Sequence, residues 1–181
     1  LLLTGTACGL PCPPLFGMWR TTSLTKSGRV AESVATVAKE EGILYSHDGA
    51  ATSKPAEENF FPTLWHWQTN TTSLGVGLVM PAVESGAKRF FFIAPDYAMG
   101  HGNKDAAWAY IQKKVPGAVV VGEMWPKLGQ TDFSAVISAV MAKKNEIDAV
   151  VMYLGGGDNA NFMKQAVPFG FYKDLTVYTY L

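Results

Sequence analysis

The residues best placed to do chemistry follow an apolar run in the middle of the chain. The run reads RFFFI at residues 89–93, and the segment 96–102 after it reads DYAMGHG. Such a run predicts a buried strand, and the polar, glycine-bearing segment predicts a loop. In an open α/β sheet, ligands bind outside the carboxyl ends of the strands. We therefore predict a small-molecule site over residues 96–101.

Small residues recur at other predicted strand ends or helix starts. They lie at Ser27-Gly28, at 50–52 (AAT) and at 155–158 (GGGD). Open backbone N–H groups beside a hydroxyl can bind a carboxylate, because the helix dipole and the donors act together. Ser27 and Thr52 are the best donors. Spacing alone favours a simpler interpretation, in which Ser27 caps its helix and Thr52 closes a turn.

Sequence signals for catalysis and for bound cofactors are weak. Neither G-x-G-x-x-G nor a phosphate loop ending in Gly-Lys-Ser/Thr occurs, and no G-x-S-x-G would expose a nucleophilic serine. The three histidines share no metal-ligand spacing, and the pair Cys8 and Cys12 falls short of a zinc set. We expect no catalysis, no cofactor and no metal.

Composition narrows the range of partners. Of 181 residues, 48% are hydrophobic, and 15 basic residues balance 15 acidic ones. No net field draws such a chain to nucleic acid or to an anionic membrane. Residues 1–17 are apolar and rich in Gly and Pro but do not form a complete signal peptide, although Thr6-Ala7-Cys8 faintly resembles a lipoprotein cleavage box. No run approaches the roughly 20 apolar residues that span a bilayer.

The order of predicted elements indicates an α/β fold with largely parallel sheets covered by helices on both faces. Strands and helices alternate regularly after residue 88. We predict strands at 43–46, 64–67, 90–94, 118–122, 149–153 and 176–180, and helices from 28, from 70, and at 106–114, 133–143 and 161–169. A break in composition at 85–87 suggests a crossing between two lobes just before Lys88. We divide the chain into an atypical segment 1–26, a first lobe 27–87 with only two or three sheet elements, and a second lobe 88–181. Trp65 and Trp67 share a strand face that could form a ligand wall, although buried aromatic residues more often belong to a core.

Several short motifs, in their order, resemble one family. They are SGxxA from Ser27, EGI at 41–43, AAT at 50–52, DYAMG at 96–100, TDFS at 131–134 and the stretch 155–166. The chain from Ser27 onward is similar to the periplasmic substrate-binding proteins of branched-chain amino acid ABC transporters. The resemblance implies two Rossmann-like lobes, of which the first is incomplete here, a solute clamped between them, delivery to a membrane permease, and no catalysis.

The resemblance also assigns residues to the site. It implies that Ser27 and Thr52 hold a ligand carboxylate together with the backbone of Ala50 and Ala51. It places Met99 and Gly155 on the opposing lobe, with Trp65, Tyr97 and His101 as further wall or polar contacts. Amino-acid binders of the family carry tyrosines near the positions of Met99 and Gly155, and an acidic residue near that of Thr179. This chain has no acid there, so aromatic acids, amides or other small organic acids become the favoured ligands.

The resemblance implies a periplasmic protein, or one anchored by lipid outside the cytoplasmic membrane. Two alternatives remain open at this point. The same fold serves as a ligand-sensing regulatory domain, and a Rossmann-type enzyme dependent on a nucleotide is a third possibility.

Overall fold

The computed structural model describes residues 22–23, 28–47, 58, 60–67 and 69–180. The chain divides into two compact units, Leu1–Gln68 and Thr69–Leu181. The predicted lobe boundary lies between residues 87 and 88, whereas these compact units meet between residues 68 and 69. The lobe boundary of the complete fold remains a prediction.

The described part of the first unit is a small parallel sheet with one helix. Strands β1 (Thr22–Ser23), β2 (Tyr45–His47) and β3 (Leu64–His66) lie in that order, and helix α1 covers Gly28–Glu40. The helix predicted from residue 28 is confirmed. Its apolar spacing brings Ala35 and Ala38 against Tyr45 and Leu64 in one buried cluster.

The second unit is a four-stranded parallel sheet with the order β5-β4-β6-β7. Its elements are α2 (Thr71–Glu84), β4 (Arg89–Ile93), α3 (Ala98–Lys114), β5 (Val119–Met124), α4 (Ser134–Ala142), β6 (Ala149–Met152), α5 (Gly156–Ala166), α6 (Phe171–Asp174) and β7 (Val177–Thr179). Short 3₁₀ turns cover Lys144–Glu146 and Val167–Phe169. The predicted α/β class with parallel sheets is confirmed.

Helices cover both faces of this sheet. Phe91, Ile93 and Met152 pack against α4 and α5 on one face, whereas Phe90 and Phe92 pack against α2 and α3 on the other. Successive strand residues therefore alternate between two apolar layers. This arrangement explains why β4 and β6 are continuous apolar runs rather than alternating ones.

Two helices begin earlier than the sequence predicts. Helix α3 begins at Ala98 rather than 106, and α5 begins at Gly156 rather than 161. The expected loop 96–101 is therefore wrong from residue 98 onward, where the chain forms the first helical turn. Glycines lower helix propensity and so hid both helix starts. Gly100 is required at its position, because a Cβ there would meet the carbonyl group of Pro95.

Asp148 ties the amino-terminal end of β4 to the connection before β6. Its carboxylate accepts hydrogen bonds from the backbone N–H groups of Lys88 and Arg89, at 3.0 and 2.9 Å. It also accepts from the Arg89 guanidinium at 2.6 and 3.0 Å. Hydrogen bonding to Arg89, which outweighs the partial burial, lowers the pKa of Asp148 from 3.8 to about 2.

We expect Asp148→Asn to lower the free energy of unfolding by about 1 kcal/mol at neutral pH, a value reduced for solvent screening of this partly exposed pair. Because the folded pKa is depressed, the stabilisation is present above the unfolded value of 3.8 and is lost as pH falls through about 2. Urea denaturation of both proteins between pH 7 and pH 2 measures it. Asp105→Asn, whose side chain is 75% exposed, is the control. A constant difference across the whole pH range would contradict the assignment.

Candidate functional site

The sheet of the second unit has a topological switch point between β4 and β6. Strand β4 lies between β5 and β6. The helix that follows β4 packs on one face of the sheet, and the helix that follows β6 packs on the other. The two connections therefore part above the carboxyl ends of these strands, which is where open α/β sheets bind their ligands.

Four residues that follow strands line this edge. Tyr97 and Met99 follow β4, Gly155 follows β6, and Tyr180 follows β7. The Tyr97 hydroxyl lies 3.5 Å from the sulfur of Met99. A methyl group at residue 155 would lie 3.8 Å from the Tyr180 ring, an ordinary contact distance, so Gly155 adjoins this ring. The structure thus brings together three predicted site residues, Tyr97, Met99 and Gly155, at one edge of the sheet.

Two phenols and one carboxylate share an electrostatic environment at this edge. Partial burial, and then the negative charge of Asp158, raise the pKa of Tyr97 above its ordinary value. Partial burial, and then Tyr97, raise the pKa of Tyr180 in the same direction. Both phenols therefore stay protonated at neutral pH and act as neutral hydrogen-bonding groups.

His101 lies on the first turns of α3 in a small polar and aromatic cluster. Its Nε2 atom is 3.0 Å from Oδ1 of Asp96. Its ring stacks on Trp125 with centroids 4.1 Å apart. The backbone N–H of Asp96 in turn donates to the carbonyl of Pro126 at 2.9 Å. This cluster joins the start of α3 to the connection after β5.

The connection between β5 and α4 is tied down at several points. The N–H of Gly129 donates to Oδ2 of Asp158 at 2.9 Å. The Gln165 side chain accepts from the N–H of Phe133 at 2.8 Å and donates to the carbonyl of Thr131 at 2.7 Å. Since Asp158 and Gln165 both lie on α5, this helix holds the connection next to the switch point.

Of the predicted site residues in the first unit, the structure describes only some. Ser27, Ala50, Ala51 and Thr52 lie outside the described residues, so their role stays a prediction. Trp65 is described and is 55% exposed, with its ring stacked on Trp67 at a centroid distance of 5.4 Å. These two rings are therefore not core residues of the described chain. Their role as a ligand wall stays a prediction.

Sequence reasoning missed Tyr180 and did not single out Asp158 as a site residue. Tyr180 directly follows the last strand, so the rule about carboxyl strand ends would have found it. Asp158 stood in the GGGD segment 155–158, but the later predicted start of α5 left it outside the helix. In the structure it lies in the first turn of α5.

The described residues hold no group of three or more His, Cys, Asp or Glu side chains arranged to bind a metal ion. Among the described helices, none combines the length and the apolar character needed to cross a bilayer.

A parallel α/β sheet with polar side chains at its switch point is the arrangement at which proteins of this class commonly bind ligands. Residues 25–181 match the family model described as periplasmic binding protein. The chain therefore belongs to the periplasmic binding protein family, and the predicted family is confirmed. No curated protein matches the chain significantly in sequence.

Solved structures of the same fold include two from Burkholderia. A periplasmic binding protein from Burkholderia mallei is 27% identical with a TM-score of 0.69, over 83% of this chain and 39% of that one. A branched chain amino acid ABC transporter periplasmic ligand-binding protein from Burkholderia xenovorans LB400 is 25% identical with a TM-score of 0.71, over 82% and 39%.

A solute binding protein of an ABC transporter from R. palustris, in complex with benzoate, shares the fold at 16% identity. Its TM-score is 0.71, over 83% of this chain and 40% of that one. The chain thus spans about two fifths of the length of the solved structures that it matches.

Proposed function

We propose that this chain is part of a solute-binding protein that captures a small organic acid for uptake by an ABC transporter. The observation that carries the proposal is the grouping of Tyr97, Gly155 and Tyr180 at the switch-point edge of the second unit. A glycine beside an aromatic ring that is only partly buried leaves room for a small flat molecule. Membership of the periplasmic binding protein family supports the same function.

A carboxylate-bearing ligand, and an aromatic acid in particular, is the favoured solute. Benzoate is the ligand of the R. palustris protein of the same fold. In this chain we propose that Ser27, Thr52 and the backbone of Ala50 and Ala51 hold the carboxylate. Tyr97 and Met99 would contact the other end of the solute, and Trp65 and His101 are proposed as further contacts.

The family also supports a place and a partner. Periplasmic binding proteins act outside the cytoplasmic membrane, and the B. xenovorans and R. palustris proteins are named as ligand- or solute-binding proteins of ABC transporters. We propose that this protein is exported, delivers its solute to a membrane permease, and performs no chemical conversion. The alternative is a ligand-sensing domain of the same fold. The coding sequence that flanks this chain distinguishes transport from sensing.

The test is binding of benzoate and of leucine to the purified protein, measured by calorimetry. We expect Thr52→Ala to weaken binding of the preferred acid by about 1 to 3 kcal/mol, because a ligand oxygen loses its donor. Thr36→Ala is the matched control, since its hydroxyl lies on an exposed helix face and bonds only the carbonyl of Glu32. Equal affinities for wild type and Thr52→Ala would refute the proposed carboxylate site.

A further inference from the structure

We infer that the edge formed by Tyr97, Asp158 and Tyr180, called here the acceptor edge, binds the end of the solute that carries a hydrogen-bond donor. We infer further that Asp158 excludes a second carboxylate from this edge. The inference rests on the proposed solute-binding function and specifies the chemistry of the solute.

The acceptor edge already carries negative charge, which comes from the carboxylates of Asp158 and Asp96. The amino termini of α3 and α5 would by themselves favour an anionic ligand. Asp158, however, lies in the first turn of α5, and Asp96 directly precedes the Tyr97 cap of α3. Among the described residues, no lysine or arginine, Lys127 included, forms an ion pair within 4.0 Å of Asp158. Asp96 has His101 as its partner at 3.0 Å, whereas a ligand carboxylate next to Asp158 would meet like charge with no lysine or arginine among the described residues to compensate it.

The hydrogen bonds of the acceptor edge leave mainly acceptors open to a solute. The Tyr180 hydroxyl donates to the carbonyl of Tyr153 at 3.1 Å, so its oxygen is left to accept. The Tyr97 hydroxyl is directed to the Met99 sulfur. Asp158 uses Oδ2 to accept from Gly129, which leaves Oδ1 without a protein donor among the described residues. A solute that supplies a donor completes this set.

Asn159 ties Tyr180 to the start of α5. It is 2% exposed, and its amide nitrogen donates to Thr179 Oγ1 at 3.2 Å and to the Tyr180 carbonyl at 2.7 Å. Because Asn159 directly follows Asp158, these two hydrogen bonds hold the backbone of Tyr180 against the first turn of α5. Two members of the acceptor edge are therefore fixed next to each other.

A series of benzoates that differ only at the para position tests the inference by calorimetry. The probes are benzoate, 4-hydroxybenzoate, 4-(aminomethyl)benzoate and terephthalate, which place hydrogen, a hydroxyl, an ammonium and a carboxylate at one point. We expect at least one of the two acids with a donor at the para position, 4-hydroxybenzoate or 4-(aminomethyl)benzoate, to bind about fivefold or more tighter than benzoate. We expect terephthalate to bind about tenfold or more weaker than benzoate. The order of the hydroxyl and ammonium probes shows which donor the edge prefers.

Asp158→Asn separates charge from structure. Asparagine keeps an oxygen that accepts from Gly129, so the connection after β5 stays in place. It removes the negative charge and replaces the open carboxylate oxygen with an NH2 donor, and both changes act in the same direction on the probes. We expect the variant to bring terephthalate to within about threefold of benzoate and to weaken 4-(aminomethyl)benzoate about tenfold. Asp105→Asn makes the same change in net charge on an exposed part of α3 and is expected to leave all four affinities unchanged.

The outcomes distinguish this inference from the proposed function. Terephthalate binding to wild type as tightly as 4-hydroxybenzoate, or an unchanged order of affinities in Asp158→Asn, overturns the inference and leaves solute binding intact. If none of the four acids binds, the proposed aromatic-acid function fails, and the inference fails with it.

Discussion

Replacing Phe162 with alanine is expected to lower the free energy of unfolding of the second unit by about 3 to 5 kcal/mol. Phe162 is fully buried on α5. Its ring meets Phe133 edge-on at 5.6 Å and Phe171 edge-on at 5.4 Å. Alanine would leave a cavity between three elements and remove both aromatic contacts. Chemical denaturation followed by circular dichroism measures the loss.

A matched phenylalanine lies close by in the chain. Phe169, in the 3₁₀ turn after α5, is 48% exposed. We expect Phe169→Ala to cost under about 1 kcal/mol, because a surface side chain leaves no cavity. Similar losses in the two variants would show that the Phe133–Phe162–Phe171 cluster does not form the centre of this core.

Gly75→Ala is expected to destabilise the second unit by about 2 to 3 kcal/mol. A methyl group at residue 75 would overlap the backbone carbonyl of Asn103 and lie 3.1 Å from the Cβ of Ala106, so α2 and α3 must separate. The carbonyl of Gly75 also accepts a hydrogen bond from the buried Tyr153 hydroxyl at 2.8 Å. Separation of the helices would strain that bond as well.

Gly77→Ala, in the same helix, is expected to have the opposite sign. No atom lies within 4 Å of the position that its Cβ would take. Alanine there gains helix propensity, which stabilises by about 0.5 to 1 kcal/mol. The melting temperatures of both variants, compared with that of the wild type, measure these two effects. If both glycine variants are stabilised, the close approach of α2 and α3 at Gly75 is refuted.

Periodicity in the sequence was sufficient where apolar residues dominate. The runs that became β4 and β6 were predicted to within a residue at each end, because a strand buried on both faces must be apolar throughout. A helix was predicted from residue 70, and Asn70 caps it, since its Oδ1 accepts from the N–H of Ser73 at 2.8 Å. Local side-chain chemistry alone determines such a cap.

Sequence reasoning failed where glycines lie in the first turn of a helix. Gly100 and Gly156 lie in the first turns of α3 and α5, and their low helix propensity made both starts look like loops. In the structure, Gly100 allows α3 to pass the Pro95 carbonyl. A close approach of two backbone segments has no signature in the sequence, because it depends on residues brought together by the fold.

The sequence by itself determined the α/β class, the family, and the strand ends at which a ligand is expected. Each follows from local patterns of hydrophobicity and from short motifs in order. Only the tertiary structure decided which strand ends adjoin, because the order β5-β4-β6-β7 is set by packing between distant segments. It brought Asp158 of α5, Tyr97 and Tyr180 to the carboxyl ends of neighbouring strands, within electrostatic range of one another, and so turned three scattered residues into one edge.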